Sequence, residues 1–141
     1  MNAPREPGRM LIVDDNRVNR LLLTHALEQN GHRVSTAENG KIAMEMLRGK
    51  SYDVILLDID MPVMNGFEVL EALLSDNELR DLPVVMTSAS DELDRVVKCI
   101  EMGAEDYLVK PLNPVLLRAR VNASLEKKRL RDEQRKLFRT F

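Results

Sequence analysis

Residues 54–62 read VILLDIDMP, an apolar run of four residues that ends directly in an aspartate, Asp58. An earlier apolar run, residues 10–13, ends in the same way at Asp14 and Asp15. Short apolar runs of this kind are typical of strands in a parallel sheet that is covered on both faces. The carboxyl ends of such strands share one edge of the sheet, where ligands bind. We therefore expect the three carboxylates to lie together in a crevice.

A lysine, Lys110, ends a third apolar run at residues 107–109 and is expected at the same edge. Carboxylates gathered there repel one another by about 4 kcal/mol per close pair at an effective dielectric constant of about 20. A hard cation removes this repulsion, and a site made only of carboxylate oxygens suits Mg²⁺. Lysine can bind a phosphate as a point charge. Together these residue types indicate a phosphoryl-transfer site with Asp58 as the candidate acceptor.

Apolar runs and helical patterns alternate along the chain, which predicts βα units, a parallel sheet and the α/β fold class. Strands are expected near residues 9–14, 33–37, 53–58, 83–88 and 106–110. Helices are expected near residues 17–29, 40–48, 66–75 and 92–102, with a long final helix from residue 114. Gly31, Gly49 and Gly103 stand where a left-handed residue would end a helix. Asn113 followed by Pro114 predicts the start of the last helix.

Composition narrows the class of protein. The chain has 141 residues, 44% of them hydrophobic and 31% charged, which is typical of one soluble globular domain. Its uncharged runs are far shorter than the roughly 20 apolar residues that span a membrane. Residues 1–8 lack the apolar core of a signal peptide. The single cysteine, Cys99, excludes an internal disulfide framework and is expected to pack inside a helix. We expect a cytoplasmic protein with no membrane partner.

Charge is unevenly distributed along the chain. The net charge is −2, but residues 126–141 carry +4, so the remainder carries −6. An acidic body repels nucleic acid, and a charge run on a helix is usually a solvated face. No direct nucleic-acid partner is expected.

The predicted final helix is long for a domain of this size. Residues 114–141 contain no glycine and no internal proline, so the helix could run about 40 Å at 1.5 Å per residue. Leu116, Leu117, Val121 and Leu125 are expected to pack on the domain. An isolated charged helix is marginally stable in water, so the remainder is expected to need a partner.

Three segments are therefore expected. Residues 1–8 would be a disordered N-terminus, residues 9–125 the folded domain, and residues 126–141 a helical extension. The extension would pair with a second copy in a homodimer or lead into a further domain. A weak heptad pattern of apolar residues favours the first use.

Several short motifs match one family in order and in spacing. Asp58 lies 30 residues before Ser88 and 52 residues before Lys110. Over residues 9–125 the chain resembles the receiver domain of two-component response regulators, through Asp14-Asp15, Asp58, Met61-Pro62, Gly66, Ser88-Ala89, Tyr107 and Lys110-Pro111. The resemblance implies a flavodoxin-like, doubly wound sheet of five parallel strands in the order 2-1-3-4-5. Helices would cover both faces, and the fifth helix would be elongated.

By this resemblance, Asp58 is the phosphoacceptor that takes a phosphoryl group from a histidine kinase or a histidine phosphotransfer protein. Asp15, Asp58 and the main-chain carbonyl of Asp60 would bind Mg²⁺ directly, and Asp14 would act through a water molecule. The chain would then be a signalling domain and not an enzyme, although it would slowly hydrolyse its own acyl phosphate. Asp60 and Ser90 are expected to set the rate of that hydrolysis.

Three further residues are implied to carry the switch. Lys110 would pair with Asp58 at rest and with the phosphoryl group afterwards, and its bond to Pro111 would be cis. Ser88 would move inward to bond a phosphoryl oxygen. Tyr107 would turn from an exposed position toward the space that Ser88 leaves. The face built from the fourth helix, the fifth strand and the fifth helix would then control a partner or an output domain.

Other functions are open from the residues. A phosphohydrolase of the haloacid-dehalogenase type also carries Asp-x-Asp at a strand end, as residues 58–60 do, but its motif continues with threonine or valine where Pro62 stands. The fold could also serve as an interaction module without phosphorylation, although the acids together with Ser88 and Lys110 argue against this. A flavin or nucleotide binder would need a glycine-rich loop where residues 14–17 read DDNR.

Overall fold

Five βα units account for the whole domain. The computed structural model describes residues 6–140. The elements in chain order are β1 (Arg9–Val13), α1 (Arg17–Gln29), β2 (Arg33–Ala37), α2 (Gly40–Gly49), β3 (Val54–Asp58), α3 (Gly66–Leu74), β4 (Val84–Ser88), α4 (Leu93–Met102), β5 (Asp106–Val109) and α5 (Pro114–Thr140). The strands are parallel and lie in the order β2-β1-β3-β4-β5. The predicted α/β fold and strand order are confirmed.

Asparagines begin most of the helices. The side chains of Asn16, Asn39 and Asn65 each accept a hydrogen bond from the main-chain N–H three residues later. Asn113 does the same for α5, as predicted, accepting from the N–H of Leu116 at 3.2 Å and also from the N–H of Val115 at 2.8 Å. These bonds satisfy main-chain donors that a helix start leaves unpaired.

Two of the three predicted glycine stops are confirmed. Gly31 and Gly103 have φ angles of 90° and 113°, in the left-handed region. The prediction for Gly49 is wrong, because this residue is the last of α2 and its φ angle is not positive. The chain leaves α2 through Lys50 in an extended conformation, so no left-handed residue is needed there.

The core has two halves, one on each face of the sheet. Ile55 and Leu57 of β3 point into a cluster covered by α2, α3 and α4. Val54 and Leu56 point into a second cluster covered by α1 and α5. This alternation is the two-residue period of a strand whose faces are both buried. Cys99 is fully buried in the first cluster, as predicted.

The fifth helix packs on the domain through one stripe. Leu117, Val121 and Leu125 are buried as predicted. The prediction for Leu116 is wrong, since 46% of this residue is exposed. Leu116 precedes Leu117 by one position, which turns it about 100° away from the buried stripe. None of the helices among residues 6–140 combines the length and the apolar character that crossing a membrane requires.

The basic end of α5 contacts the body of its own domain. Arg131 Nη2 lies 2.6 Å from a carboxylate oxygen of Glu105, which precedes β5. Lys128 Nζ lies 3.6 Å from Asp53, which precedes β3. Because both acids stand before their strands, the extension binds the amino edge of the sheet. The carboxyl edge, where the candidate site lies, is at the other end.

Of the predicted disordered segment 1–8, residues 1–5 lie outside the described part of the chain. Gly8 is buried, and its N–H donates to Nδ1 of His32 at 3.0 Å.

Candidate functional site

Three carboxylates meet at the carboxyl ends of β1 and β3. One oxygen each of Asp14, Asp15 and Asp58 lies within 4.8 Å of the others. The two strands are neighbours, and Val13 is paired with Leu57, so Asp14 and Asp58 follow at the same level. Asp14 and Asp58 are buried, whereas Asp15 is exposed. The grouping predicted from the strand ends is confirmed, and its donor set of close oxygens suits a hard cation.

Lys110 from the end of β5 is the counter-charge of this acidic pocket. Its Nζ donates to Oδ2 of Asp14 at 2.9 Å and lies 3.4 Å from Oδ1 of Asp58. The shorter contact is therefore to Asp14, whereas the sequence favoured Asp58 as the resting partner. Burial disfavours the charged ammonium, but the hydrogen bond to Asp14 and the charge of Asp58 raise the pKa of Lys110 overall. Its bond to Pro111 is cis, as predicted.

Asp58 is held in a setting that disfavours its charge. Burial and the nearby charge of Asp14 raise the pKa of Asp58 to about 6, against the opposing effects of Lys110 and the Asp60 N–H. That N–H lies 3.3 Å from Oδ1 of Asp58. A cation among the three carboxylates would favour the ionised form of Asp58, because an opposite charge lowers a carboxyl pKa.

The chain approaches Asp58 closely at the start of α3. The N–H of Gly66 donates to the carbonyl of Ile59 at 2.9 Å. A Cβ atom on Gly66 would lie 2.5 Å from the carbonyl oxygen of Asp58. Only glycine fits this contact between α3 and the loop after β3. Gly66 in the motif therefore leaves room for the main chain of Asp58, the candidate phosphoacceptor.

Ser88, at the end of β4, is fully buried and hydrogen-bonded on two sides. Its Oγ donates to Oδ2 of Asp60 at 3.2 Å and accepts from the N–H of Ser90 at 3.1 Å. Helix α4 begins after Glu92, which has no side-chain cap. Ser90 Oγ accepts from the N–H of Glu92 at 3.3 Å.

Tyr107 of β5 is half-buried and points toward the loop after β4. Its hydroxyl donates to the carbonyl of Ser90 at 2.6 Å. The predicted resting position was exposed, so the structure places this side chain further inward than the sequence suggested. It is anchored to the segment that follows Ser88.

Arg95 of α4 is a site residue that sequence reasoning missed. Its guanidinium forms an ion pair with Oδ1 of Asp60. It also lies over the ring of Phe67, 5.7 Å from the centroid. Burial opposes its charge, but the Asp60 carboxylate and the Tyr107 hydroxyl raise the pKa of Arg95 overall. Arg95 lies 35 residues after Asp60 in the sequence and belongs to none of the motifs. Only the packing of α4 brings the two side chains together.

Comparison with known proteins gives the family. The model of the response regulator receiver domain matches residues 10–122. Protein PilH of Pseudomonas aeruginosa is 39% identical over 118 residues, which cover 84% of this chain and 98% of PilH. Response regulator PleD of Caulobacter vibrioides is 40% identical over 128 residues, which cover 91% of this chain but 28% of PleD.

The fold is also shared with solved structures. The chemotaxis response regulator CheY4 of Vibrio cholerae superimposes with a TM-score of 0.80 at 30% identity, covering 84% of this chain and 99% of CheY4. Neither the phosphohydrolase nor the nucleotide-binding alternative is favoured by these matches. Receiver domains are signalling modules that work with a histidine kinase or a phosphotransfer protein. The chain belongs to the response regulator receiver domains of two-component signalling, and its acidic pocket fits the phosphoacceptor site of that family.

Proposed function

We propose that Asp58 accepts the phosphoryl group. The observation that carries this proposal is the pocket itself, in which Asp14, Asp15 and Asp58 bring oxygens within 4.8 Å of one another beside the ammonium of Lys110. In the transfer, the bond between phosphorus and the histidine nitrogen of the donor protein breaks. A new bond forms between phosphorus and a carboxylate oxygen of Asp58. Lys110 provides positive charge for the incoming group.

The pocket fits Mg²⁺, which would neutralise charge that develops on the transferred group. Asp15, Asp58 and the main-chain carbonyl of Asp60 would hold the ion directly, and Asp14 would act through a water molecule. The contacts of Asp14 support this indirect role, because its two carboxylate oxygens already accept hydrogen bonds from the N–H of Asn16 and from Lys110. Asp15 is exposed and open to a ligand.

Phosphorylation would switch the face formed by α4, β5 and α5. A phosphoryl group adds a charge of about −1.5 to −2 at Asp58. Ser88 and Lys110 would bond its oxygens, and Tyr107 would respond through the loop after β4. Moving a two-state equilibrium from 1:99 to 99:1 takes about 5.5 kcal/mol of differential stabilisation. Several charge-assisted hydrogen bonds can supply this amount.

Removal of the phosphoryl group completes the cycle. Slow hydrolysis of the acyl phosphate would return the domain to rest, with Asp60 and Ser90 setting the rate. Their positions support this, since Asp60 follows the acceptor by two residues and Ser90 contacts both Ser88 and Tyr107. Asp60→Ala and Ser90→Ala should each change the phosphoryl half-life by severalfold. Unchanged half-lives in both variants would eliminate these two residues as rate-setting groups.

The phosphoacceptor proposal is tested by intact mass spectrometry after incubation with a small acyl-phosphate donor and Mg²⁺. We expect a gain of one phosphoryl group, absent in Asp58→Asn and without metal. Asp53→Asn is the matched control, because this aspartate stands at the other end of the same strand and should leave the gain intact. A gain that persists in Asp58→Asn would overturn the assignment.

The extension at residues 126–141 would form a homodimer or connect the receiver, residues 9–125, to an output domain. The match to PleD supports a connection, since the matched part is 28% of that longer protein. Exposed Leu130, Leu137 and Phe138 give the helix an apolar side for a second copy. Light scattering with and without the acyl-phosphate donor tests the dimer, and a monomer in both cases would refute it. The cytoplasmic location stays a prediction.

A further inference from the structure

Asp60 connects the buried hydroxyl of Ser88 to the guanidinium of Arg95. One carboxylate oxygen, Oδ2, accepts from Ser88 Oγ at 3.2 Å, and the other, Oδ1, is paired with Arg95. The hydrogen bond ties the end of β4 to the loop after β3. The ion pair ties the same carboxylate to α4. A single side chain thus links the predicted switch serine to the helix that the switch is expected to move.

Arg95 explains why Asp60 points inward. The side chain of Asp60 is 59% exposed, so water could solvate its charge if it turned outward. Arg95 is 26% exposed and is held from behind by the ring of Phe67, which is 5.7 Å away. Lys98 also lies over this ring, at 4.0 Å, but it forms no ion pair with Asp60 in the described part of the chain. Arg95 is therefore the cation that holds Asp60 in place.

We propose that Arg95 is a positioning residue of the phosphoryl site: through Asp60 it keeps the Ser88 hydroxyl engaged, and an anion on Asp58 must displace Asp60 from Ser88. The serine hydroxyl has one proton to donate. It cannot donate to Asp60 and to a phosphoryl oxygen at the same time. Arg95 can have this role only if Asp58 is the phosphoacceptor, as proposed above.

The expected consequence is a lower apparent affinity for any phosphoryl-like anion. When the binding-competent arrangement is only a fraction of the population, the apparent affinity falls by that fraction. Loss of Arg95 would let Asp60 turn to solvent and would release Ser88. A hydrogen bond of ordinary net strength makes this release worth about fivefold in affinity, or about 1 kcal/mol.

A purely electrostatic role for Arg95 predicts the opposite sign. Removing a positive charge near the pocket would weaken the binding of an anion whether or not Ser88 is present. The two roles are separated by a double-mutant cycle between Arg95 and Ser88, because the effect of charge alone persists when Ser88 is alanine.

The test uses beryllofluoride, an acyl-phosphate mimic, titrated by calorimetry at saturating Mg²⁺. Arg95→Gln changes the dissociation constant of beryllofluoride by some factor in each background. In the presence of Ser88 this factor should favour binding about fivefold more than it does in the Ser88→Ala background. Lys98→Gln is the matched control, since it removes a cation from the same helix and ring, and its effect should be equal in both backgrounds. An equal effect of Arg95→Gln in both backgrounds would overturn the proposal.

Two further arms keep the outcomes distinct. Asp60→Ala removes both acceptor oxygens at an exposed position and should show the same dependence on Ser88, so it carries the test if Arg95→Gln does not fold. Far-ultraviolet circular dichroism reports folding of each variant. Failure of the unmodified chain to bind beryllofluoride would overturn the proposed function together with the role of Arg95. Binding without coupling to Ser88 would overturn only the role of Arg95.

Discussion

The two buried aspartates of the pocket have different surroundings despite their similar depth. Asp14 accepts hydrogen bonds from Lys110 and from the N–H of Asn16, both shorter than 3 Å. Asp58 has weaker contacts, at 3.4 Å to Lys110 and 3.3 Å to the N–H of Asp60. The lone pairs of Asp58 are therefore less committed. Of the two carboxylates, Asp58 is the better placed to react, and Asp14 is the better held.

Replacement of Asp58 should stabilise the metal-free protein. The pKa of Asp58 is raised from 3.8 to about 6, so its ionisation works against folding. The stability that protonated Asp58 contributes is fully present below about pH 3.8 and is lost as the pH rises through about 6. At pH 7.5 the free energy of unfolding of Asp58→Asn should therefore exceed that of the unmodified chain by about 3 kcal/mol. Urea unfolding in EDTA between pH 4 and 8 measures this difference.

The difference should shrink as the pH falls from 6 toward 4. A difference that is constant with pH would show that the ionisation of Asp58 is not its cause. Asp53→Asn, at the other end of the same strand, should lack this pH profile.

Gly66 has no room for a side chain beside Asp58. A Cβ atom there would lie 2.5 Å from the Asp58 carbonyl oxygen and 2.7 Å from Cα of Ile59, both of them main-chain atoms that cannot rotate away. We expect Gly66→Ala to lower the free energy of unfolding by about 2 kcal/mol and to slow phosphorylation. Urea unfolding and the mass-spectrometric assay measure the two effects.

Gly49→Ala is the control for that substitution. Nothing lies within 4 Å of a Cβ atom on Gly49, and the residue is helical. Alanine there should be neutral or stabilising by up to about 1 kcal/mol. Equal destabilisation by the two changes would contradict the steric explanation for Gly66.

At the scale of the element, α5 has two parts with different reasons to be helical. The first part is fastened by apolar burial of Leu117, Val121 and Leu125. The second part has few apolar contacts and is attached through ion pairs of Arg131, Lys128 and neighbouring cations. A charged helix of this length is marginal alone. The acids at the amino edge of the sheet therefore support the helix of the extension as well as its direction.

Glu105 is the acid that matters most in this attachment, because it pairs with Arg131 at 2.6 Å and with Lys127 at 3.7 Å. Glu105→Gln should speed amide hydrogen exchange in residues 126–138 by about two- to fivefold, as expected from an exposed pair worth up to about 1 kcal/mol. Glu133→Gln, an exposed acid on the same helix with no ion pair among the described residues, should have a smaller effect. Equal exchange in both variants would contradict ionic attachment.

The ring of His32 connects the segment before β1 to α5. Nδ1 accepts from the N–H of Gly8 before β1 at 3.0 Å, and Nε2 lies 2.9 Å from Oδ1 of Asn122 on α5. Burial lowers the pKa of His32; Asn122 and Asp53 act to raise it, and Arg129 acts to lower it. A proton on Nδ1 would remove the acceptor of the Gly8 N–H. The neutral ring therefore holds the start of β1 against α5.

The sign of the pH effect follows from the lowered pKa. The stability that neutral His32 contributes is full above its ordinary value of 6.5 and is lost as the pH falls through the folded-state pKa. Relative to His32→Gln, the unmodified chain should lose thermal stability as the pH falls from 7 to 5. His25→Gln, at the other and exposed histidine, should follow the unmodified chain. A parallel loss in His32→Gln would exclude His32 as the source.

For the whole molecule, the important fact is that the acidic pocket and the basic extension lie at opposite edges of one sheet. The acidic pocket follows β1 and β3, whereas the basic extension binds acids that precede β3 and β5. Five residues of strand separate the edges by about 16 Å. A phosphoryl group cannot touch the extension, so any signal between them must pass through packed elements. Helix α5 packs against β5, and β5 contacts α4, so these elements provide a continuous route.

Mg²⁺ should stabilise the entire domain, because the proposed ion would bind the folded pocket and not the unfolded chain. At about ten times the dissociation constant, the gain in unfolding free energy is about 1.4 kcal/mol. Thermal unfolding with Mg²⁺ and with EDTA should show a higher Tm with the ion. Asp15→Asn should lose most of this shift, while Asp53→Asn should keep it. Equal shifts in both variants would place the ion elsewhere.

Sequence alone determined the elements, their order and the members of the pocket. The ten elements lie within about two residues of their predicted bounds, because apolar runs, helical periods and asparagine caps are local features. The meeting of Asp14, Asp15, Asp58 and Lys110 followed from topology, since parallel strands end at one edge. These four residues could therefore be grouped from the sequence without knowing any distance between their side chains.

Only the tertiary structure decided which side chains are bonded to each other. It placed Lys110 nearer to Asp14 than to Asp58, turned Tyr107 inward and paired Arg95 with Asp60. It also attached the extension to Glu105 and Asp53. Each choice depends on rotamers and on how helices pack, which change partners over a few ångströms without altering the pattern of apolar residues. The pattern of apolar residues determines which residues are buried. The pairing of charged side chains depends instead on where the packed elements place those side chains.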